Sequence, residues 1–166
     1  MKIRSVILLS GVVLSSWLLP YQGLAADNMS FRGVLHEYPP CEINDGKPVE
    51  INFGDVGVNK VDGKNYAQPF TITYKCEGAR VYSSLRHVGA VTAFDKAAVQ
   101  SNIADFGIHL AIEKNGKTAP FDIGSTMGIE PDRNSSSFIA TPVKKAGVRL
   151  QEGAFTATAM LQMEYP

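Results

Sequence analysis

Residues 153 to 166, GAFTATAMLQMEYP, alternate with a period of two after an opening glycine, Gly153. Phe155, Ala157, Ala159, Leu161, Met163 and Tyr165 are apolar, and Thr156, Thr158, Gln162 and Glu164 stand among the residues between them. A helix repeats every 3.6 residues, so this pattern fits a strand with one dry and one wet face. A strand this long and apolar, left at a sheet edge, is a template for pairing with another chain. The fold therefore has to be one that accommodates an adhesive final strand.

At the other end, Lys2 and Arg4 precede an apolar run from Val6 to Leu19 and the stretch Gly23, Leu24, Ala25, Ala26. This is the layout of a secretory signal peptide over residues 1–26, and the run is short for a membrane span. About 140 residues are then left, enough for one domain around one core. Loss of Lys2 and Arg4 takes the formal charge from zero to about −2, with the charges scattered, so nothing points to nucleic acid or an anionic membrane. Cys41 and Cys76, an even count in an exported chain, most simply form one disulfide. The other reading, two free thiols or a metal pair, has no His or further Cys at ligand spacing to support it.

Along the chain the strand idiom recurs. In DNMSFRGVLHEYPPC, Met29, Phe31, Gly33 and Leu35 share one face, and Pro39 and Pro40, which cannot donate to a ladder, set this strand apart. CEINDGKPVEINFGDVG carries two short alternating runs about the turn residues Asn44, Asp45 and Gly46. QPFTITYKC places Phe70, Ile72 and Tyr74 on one face, and ARVYSSLRHVGAVTAF continues with β-branched and aromatic residues, interrupted at Gly89. DKAAVQSNIA shows no alternation and reads as a helical turn. FGIHLAIEKNGKTAPFDIG is a hairpin about Asn115-Gly116, SSSFIATPVKKAG is a further strand, and residues 124 to 137 read as the longest mobile loop. Six or seven short strands with turns between them and almost no helix predict an all-β sandwich.

Chemistry is sparse. His36, His87 and His109 lie far apart, each on a predicted strand without a sequence neighbour that would make a ligand pair, and such histidines are ordinarily surface or satisfied residues. No nucleophile elbow, P-loop, dinucleotide fingerprint or zincin motif occurs, and GSTMG at 124–128 has its serine one place too early for an elbow. No cofactor, metal, nucleic acid or small-molecule substrate is expected, and no enzyme activity.

Both ends together resemble the pilins assembled by the chaperone-usher pathway of Gram-negative bacteria. The resemblance is carried by the signal peptide, the alternating arm MSFRGVL with its internal glycine, the cysteine after it, INFGDVG, the second cysteine at a strand end, and a final strand running from Gly153 to Tyr165. The arm is similar to those of minor tip subunits of P-type pili. The final Pro166 departs from the pattern, because it lacks an N–H for the last ladder bond.

The resemblance implies an immunoglobulin-like sandwich without its last strand, built from residues 39–166 and preceded by a donor-strand arm at 27–38. The open groove lies beside the strand carrying Gly153, Phe155, Ala157, Ala159, Leu161, Met163 and Tyr165. An ordered exchange of partners is implied as well: a periplasmic chaperone fills the groove first, and at the outer-membrane usher the arm of a neighbouring pilin replaces it. Met29, Phe31 and Leu35 of the arm would enter a neighbour's core, contributing roughly 5–9 kcal/mol at about 1.5–3 kcal/mol for each large apolar side chain. Gly33 would lie where the groove has no room for a side chain. The implied product is a cell-surface fimbrium supporting adhesion, with this chain as a minor or adaptor subunit. The alternative is a carbohydrate-binding adhesin on the same sandwich, against which stands the position of the single tryptophan, Trp17, in the signal peptide.

Overall fold

The computed structural model describes residues 32–35, 41–76 and 82–165. The signal peptide, Met29, Phe31, His36, Pro39, Pro40 and Pro166 lie outside the described residues. Residues 32–35 belong to a separate unit, carry no strand, and are exposed, Gly33 and Leu35 among them.

In the larger unit, β-branched and aromatic alternation forms two antiparallel sheets. The first orders β1 (Cys41–Ile43), β2 (Gln68–Cys76), β8 (Ser135–Lys144), β5 (Phe106–Lys114) and β4 (Ala98–Gln100), with β6 (Lys117–Pro120) also on β5. The second orders β7 (Thr126–Ile129), β3 (Ser83–Gly89) and β9 (Ala159–Glu164). Asn115 and Gly116, both with positive φ (54° and 71°), form the two-residue turn between β5 and β6. That geometry matches the right-handed twist of the strands it joins. Pro142 is tolerated in β8 because the β2 ladder has ended at Ala140, leaving β8 paired there with β5 alone.

The core sits between the layers. Ile72, Tyr74, Leu110 and Phe138 come from the first sheet, Leu85 and Ile129 from the second, and Phe121 from the segment after β6. Phe138 lies 5.5 Å from Phe70 and 6.1 Å from Phe121, ring centre to ring centre. A smaller cluster, Val61, Phe106 and Leu150, lies under the long connections. Cys41 and Cys76, opposite one another in the β1–β2 ladder, are joined as a disulfide.

Four expectations require correction. The helical turn at 95–104 is the strand β4, whose neighbours Ala97, Ala98 and Val99 are all buried. A strand covered on both faces shows no alternation, and periodicity cannot separate it from a helix. The loop at 124–137 contains β7 and the first residues of β8. The run after the Asn44–Gly46 turn keeps its alternation, with Ile51 and Phe53 half-buried, but forms no strand because nothing among the described residues pairs with it. The final strand is shorter than its pattern, for a reason that belongs to the site.

Candidate functional site

The final segment serves both layers in turn. Residues 154–157 lean on the first sheet, where Ala157 bridges Ser101 and Asn102 stands in for a strand. Its N–H donates to the Thr156 carbonyl (3.1 Å), its Oδ1 accepts from the Thr156 N–H (2.7 Å), and its Nδ2 donates to the Ala154 carbonyl (3.2 Å). From Ala159 the chain crosses to the second sheet and pairs with β3, Ala159 opposite Gly89 and Glu164 opposite Ser84. The alternation spans both halves, but the ladder changes partner midway.

Among the described residues, β9 has a strand partner on one side only. Across from its free side run β1 and residues 47–57, in the opposite direction. The two flanks are tied near their ends: the Cys41 N–H donates to Tyr165 Oη at 2.8 Å, and the Phe53 and Phe155 rings lie 6.0 Å apart. Between these ties no backbone hydrogen bond joins the flanks. Residues 49–56 offer their N–H and C=O groups to no strand among the described residues, an exposure that a finished sheet does not leave.

Apolar side chains line this furrow without being sealed. Ile43, Leu161 and Met163 pack on the main core and remain half-buried. Phe155 stands edge-on to Phe106, with centroids 4.8 Å apart, and belongs to the smaller cluster. At that end an open depression is lined by Val56, Val58, Val61, Phe106, Leu150 and Phe155, with Gly153 beside them. Ala157 is half-buried and Ala159 exposed. The structure thus gathers Gly153, Phe155, Ala157, Ala159, Leu161, Met163 and Tyr165 along one flank. The opposite flank, Val49, Ile51, Phe53 and Val56, has an alternation in the sequence but no strand partner among the described residues to reveal its role.

An ion pair and a buried histidine near the furrow were hidden in the sequence. Arg86 on β3 and Glu164 on β9 face outward and form a two-point ion pair. Hydrogen bonding from Arg86 holds the Glu164 carboxyl below its ordinary range. His87, opposite Leu161 in the ladder, is fully buried. Its Nδ1–H donates to the Phe121 carbonyl at 2.8 Å, since a carbonyl can only accept, and its ring stacks on Phe121 at 5.3 Å. Nε2 is left buried without a partner, and burial lowers the imidazole pKa. His109, on the other sheet, pairs with Asp95 at 2.7 Å. Among the described residues no three His, Cys, Asp or Glu side chains gather as a metal site.

The fimbrial protein family matches residues 29–166. The fimbrial adapter PapF of Escherichia coli is 26% identical over 151 residues, covering 86% of this chain and 89% of PapF. The fimbrial-like protein YfcQ of Escherichia coli (strain K12) is 26% identical over 148 residues, covering 85% of this chain and 88% of YfcQ. The type 1 fimbrin D-mannose specific adhesin of Salmonella typhimurium is 30% identical over 151 residues, but the match covers only 44% of that adhesin. Among solved structures, the P pilus adaptor subunit PapF superposes with a TM-score of 0.62 at 25% identity, over 78% of this chain and 98% of PapF. The P pilus rod subunit PapA shares the fold, with a TM-score of 0.59 at 21% identity over 76% of this chain and 99% of PapA. With its immunoglobulin-like sandwich and a family match spanning both ends of the described fold, the chain belongs to the fimbrial proteins, exported structural subunits of cell-surface pili of the chaperone-usher type rather than enzymes.

Proposed function

We propose that this chain is a minor, adaptor-type pilus subunit that polymerises by donor-strand exchange. The furrow between β1 with residues 47–57 and β9 is the acceptor. A periplasmic chaperone strand occupies it first, and the arm of a neighbouring subunit takes its place at the outer-membrane usher. The chain's own arm, residues 27–38, is the donor, with Met29, Phe31 and Leu35 as apolar anchors and Gly33 where no side chain fits.

The observation that carries this reading is a gap with two prepared walls. The flanks run antiparallel, are tied at each end, and share no backbone hydrogen bond between. An added strand would satisfy both rows of backbone groups and cover the half-buried apolar side chains. The similarity to the adaptor PapF along nearly its whole length supports an adaptor position.

Co-expression with periplasmic pilus chaperones tests it. The mature protein is expected to accumulate as a one-to-one chaperone complex, and Phe31→Ala is expected to block its incorporation into fibres while leaving that complex intact. A stable free monomer that ignores both chaperone and a peptide of residues 27–36 would refute the reading.

A further inference from the structure

We propose that Met163 is an oxidation site whose conversion to the sulfoxide closes the furrow to an entering strand, an inference that rests on the strand-acceptor reading above. Three methionines lie among the described residues, all in the second sheet. Met127 on β7 and Met163 on β9 stand on either side of the fully buried Leu85 in the β3 ladders, and both pack on the main core while remaining half-buried. Only Met163 belongs to the furrow wall. Met160, three residues earlier on β9, falls on the opposite face of the pleat, across from Val88, and is 61% exposed. The edge strand thus carries one methionine facing solvent and one facing the furrow.

The two thioethers meet an oxidant with different results. The reagent class is a peroxide. The sulfur lone pair attacks one peroxide oxygen and the O–O bond breaks; the departing hydroxide takes the proton of the transferred oxygen and leaves as water. Sulfur gives up two electrons and the peroxide takes them. At Met160 the new S=O dipole points into water and changes little. At Met163 a flexible apolar filler becomes a polar one where an entering strand lays its apolar anchors. Covering that oxygen without a hydrogen bond costs free energy that apolar contact does not offset. The change stays local, because Met163 is paired with Leu85, Glu164 after it is held by Arg86, and the Tyr165 hydroxyl accepts from the Cys41 N–H. The wall keeps its place while its surface changes character.

The mature full-length protein is treated with hydrogen peroxide, freed of it, and mixed with a peptide of residues 27–38 carrying Met29→Leu, so that only the acceptor has met the oxidant. Peptide mapping is expected to find sulfoxide at Met160 and Met163, and affinity for the peptide is expected to fall roughly tenfold or more. Met163→Leu, a swap that cores tolerate, should keep its affinity through the same treatment, whereas Met160→Leu should lose it as the parent does. Met163→Gln, polar without any oxidant, should bind the peptide more weakly than the untreated parent by a similar factor. Met163 left untouched under conditions that convert Met160, full affinity once Met163 is converted, an equal loss in Met163→Leu, or undiminished binding by Met163→Gln would each overturn the switch and leave the strand-acceptor reading standing. If the peptide failed to bind the untreated parent, that reading would fall and the switch with it.

Discussion

Arg86 on β3 grips both carboxylate oxygens of Glu164 on β9, and the same guanidinium donates to the Gly124 carbonyl at 2.7 Å. One side chain thus fastens the edge strand to its only strand partner among the described residues and to the turn before β7.

Acid is expected to loosen this fastening. The Glu164 carboxyl titrates below its ordinary 4.5 because Arg86 donates to its charged form. Its contribution is present above the unfolded value and lost as pH falls through the depressed folded one. Glu164→Gln should flatten the stability curve below about pH 4.5 and quicken amide exchange in β9 at neutral pH, read by denaturant titration and exchange mass spectrometry.

His87 sets a second acid limb at higher pH. Native His87 is buried and neutral, with the charge of Asp122 acting on it against the larger effect of burial, and its pKa lies below the ordinary 6.5. The unfolded chain takes up a proton below that value and the folded chain does not. Stability should therefore fall as pH drops from about 6.5 to the lowered folded value and level off below it. His87→Phe, which preserves the stack on Phe121, should remove this slope in urea titrations run from pH 8 to 5.

Gly107→Ala should destabilise the sandwich by about 1–3 kcal/mol. A Cβ there would lie 2.6 Å from Thr92 Cγ2 and 2.7 Å from the Val99 carbonyl oxygen, and backbone cannot step aside as a flexible side chain can. The urea midpoint should fall with an unchanged slope.

Reducing the Cys41–Cys76 disulfide, or replacing both cysteines by serine, should cost about 4 kcal/mol in the chain-entropy account of a loop this size. Because β1 is only three residues long and tied to β2 at Cys76, its amides should lose protection first. Exchange measured before and after reduction would reveal this order.

Much of this was legible in the sequence, and what was not has physical causes. Alternation located β2, β3, β5, β8 and the final strand because one face of each is drier than the other. It failed at β4, where Ala97 to Val99 are covered on both faces, and at β7, four residues whose Thr126 and Gly128 are exposed. The terminal pattern ran straight through 155–165, yet it could not register the crossing at Ala159, because a side chain, Asn102, substitutes for the ladder in the first half. The Gly153–Tyr165 flank was visible as a sticky strand; the opposite flank was not, since an extended segment without a partner leaves the same letters as a loop. Arg86 and His87 are adjacent letters whose opposite fates follow from the pleat alone, one turned to solvent and one to the core.

The β3–β9 ladder, with Ser84 opposite Glu164, joins positions separated by most of the domain. Contacts of that span form only after the chain between them has been reeled in, so its assembly pays a large entropic toll before any pairing rewards it. The hairpin at Asn115-Gly116, by contrast, can zip in microseconds. The β2–β8 ladder of the first sheet spans a comparable stretch, Gln68 opposite Ala140, so closure of both layers should lag behind that hairpin, leaving an interval in which oily faces stand bare before the sheets are complete.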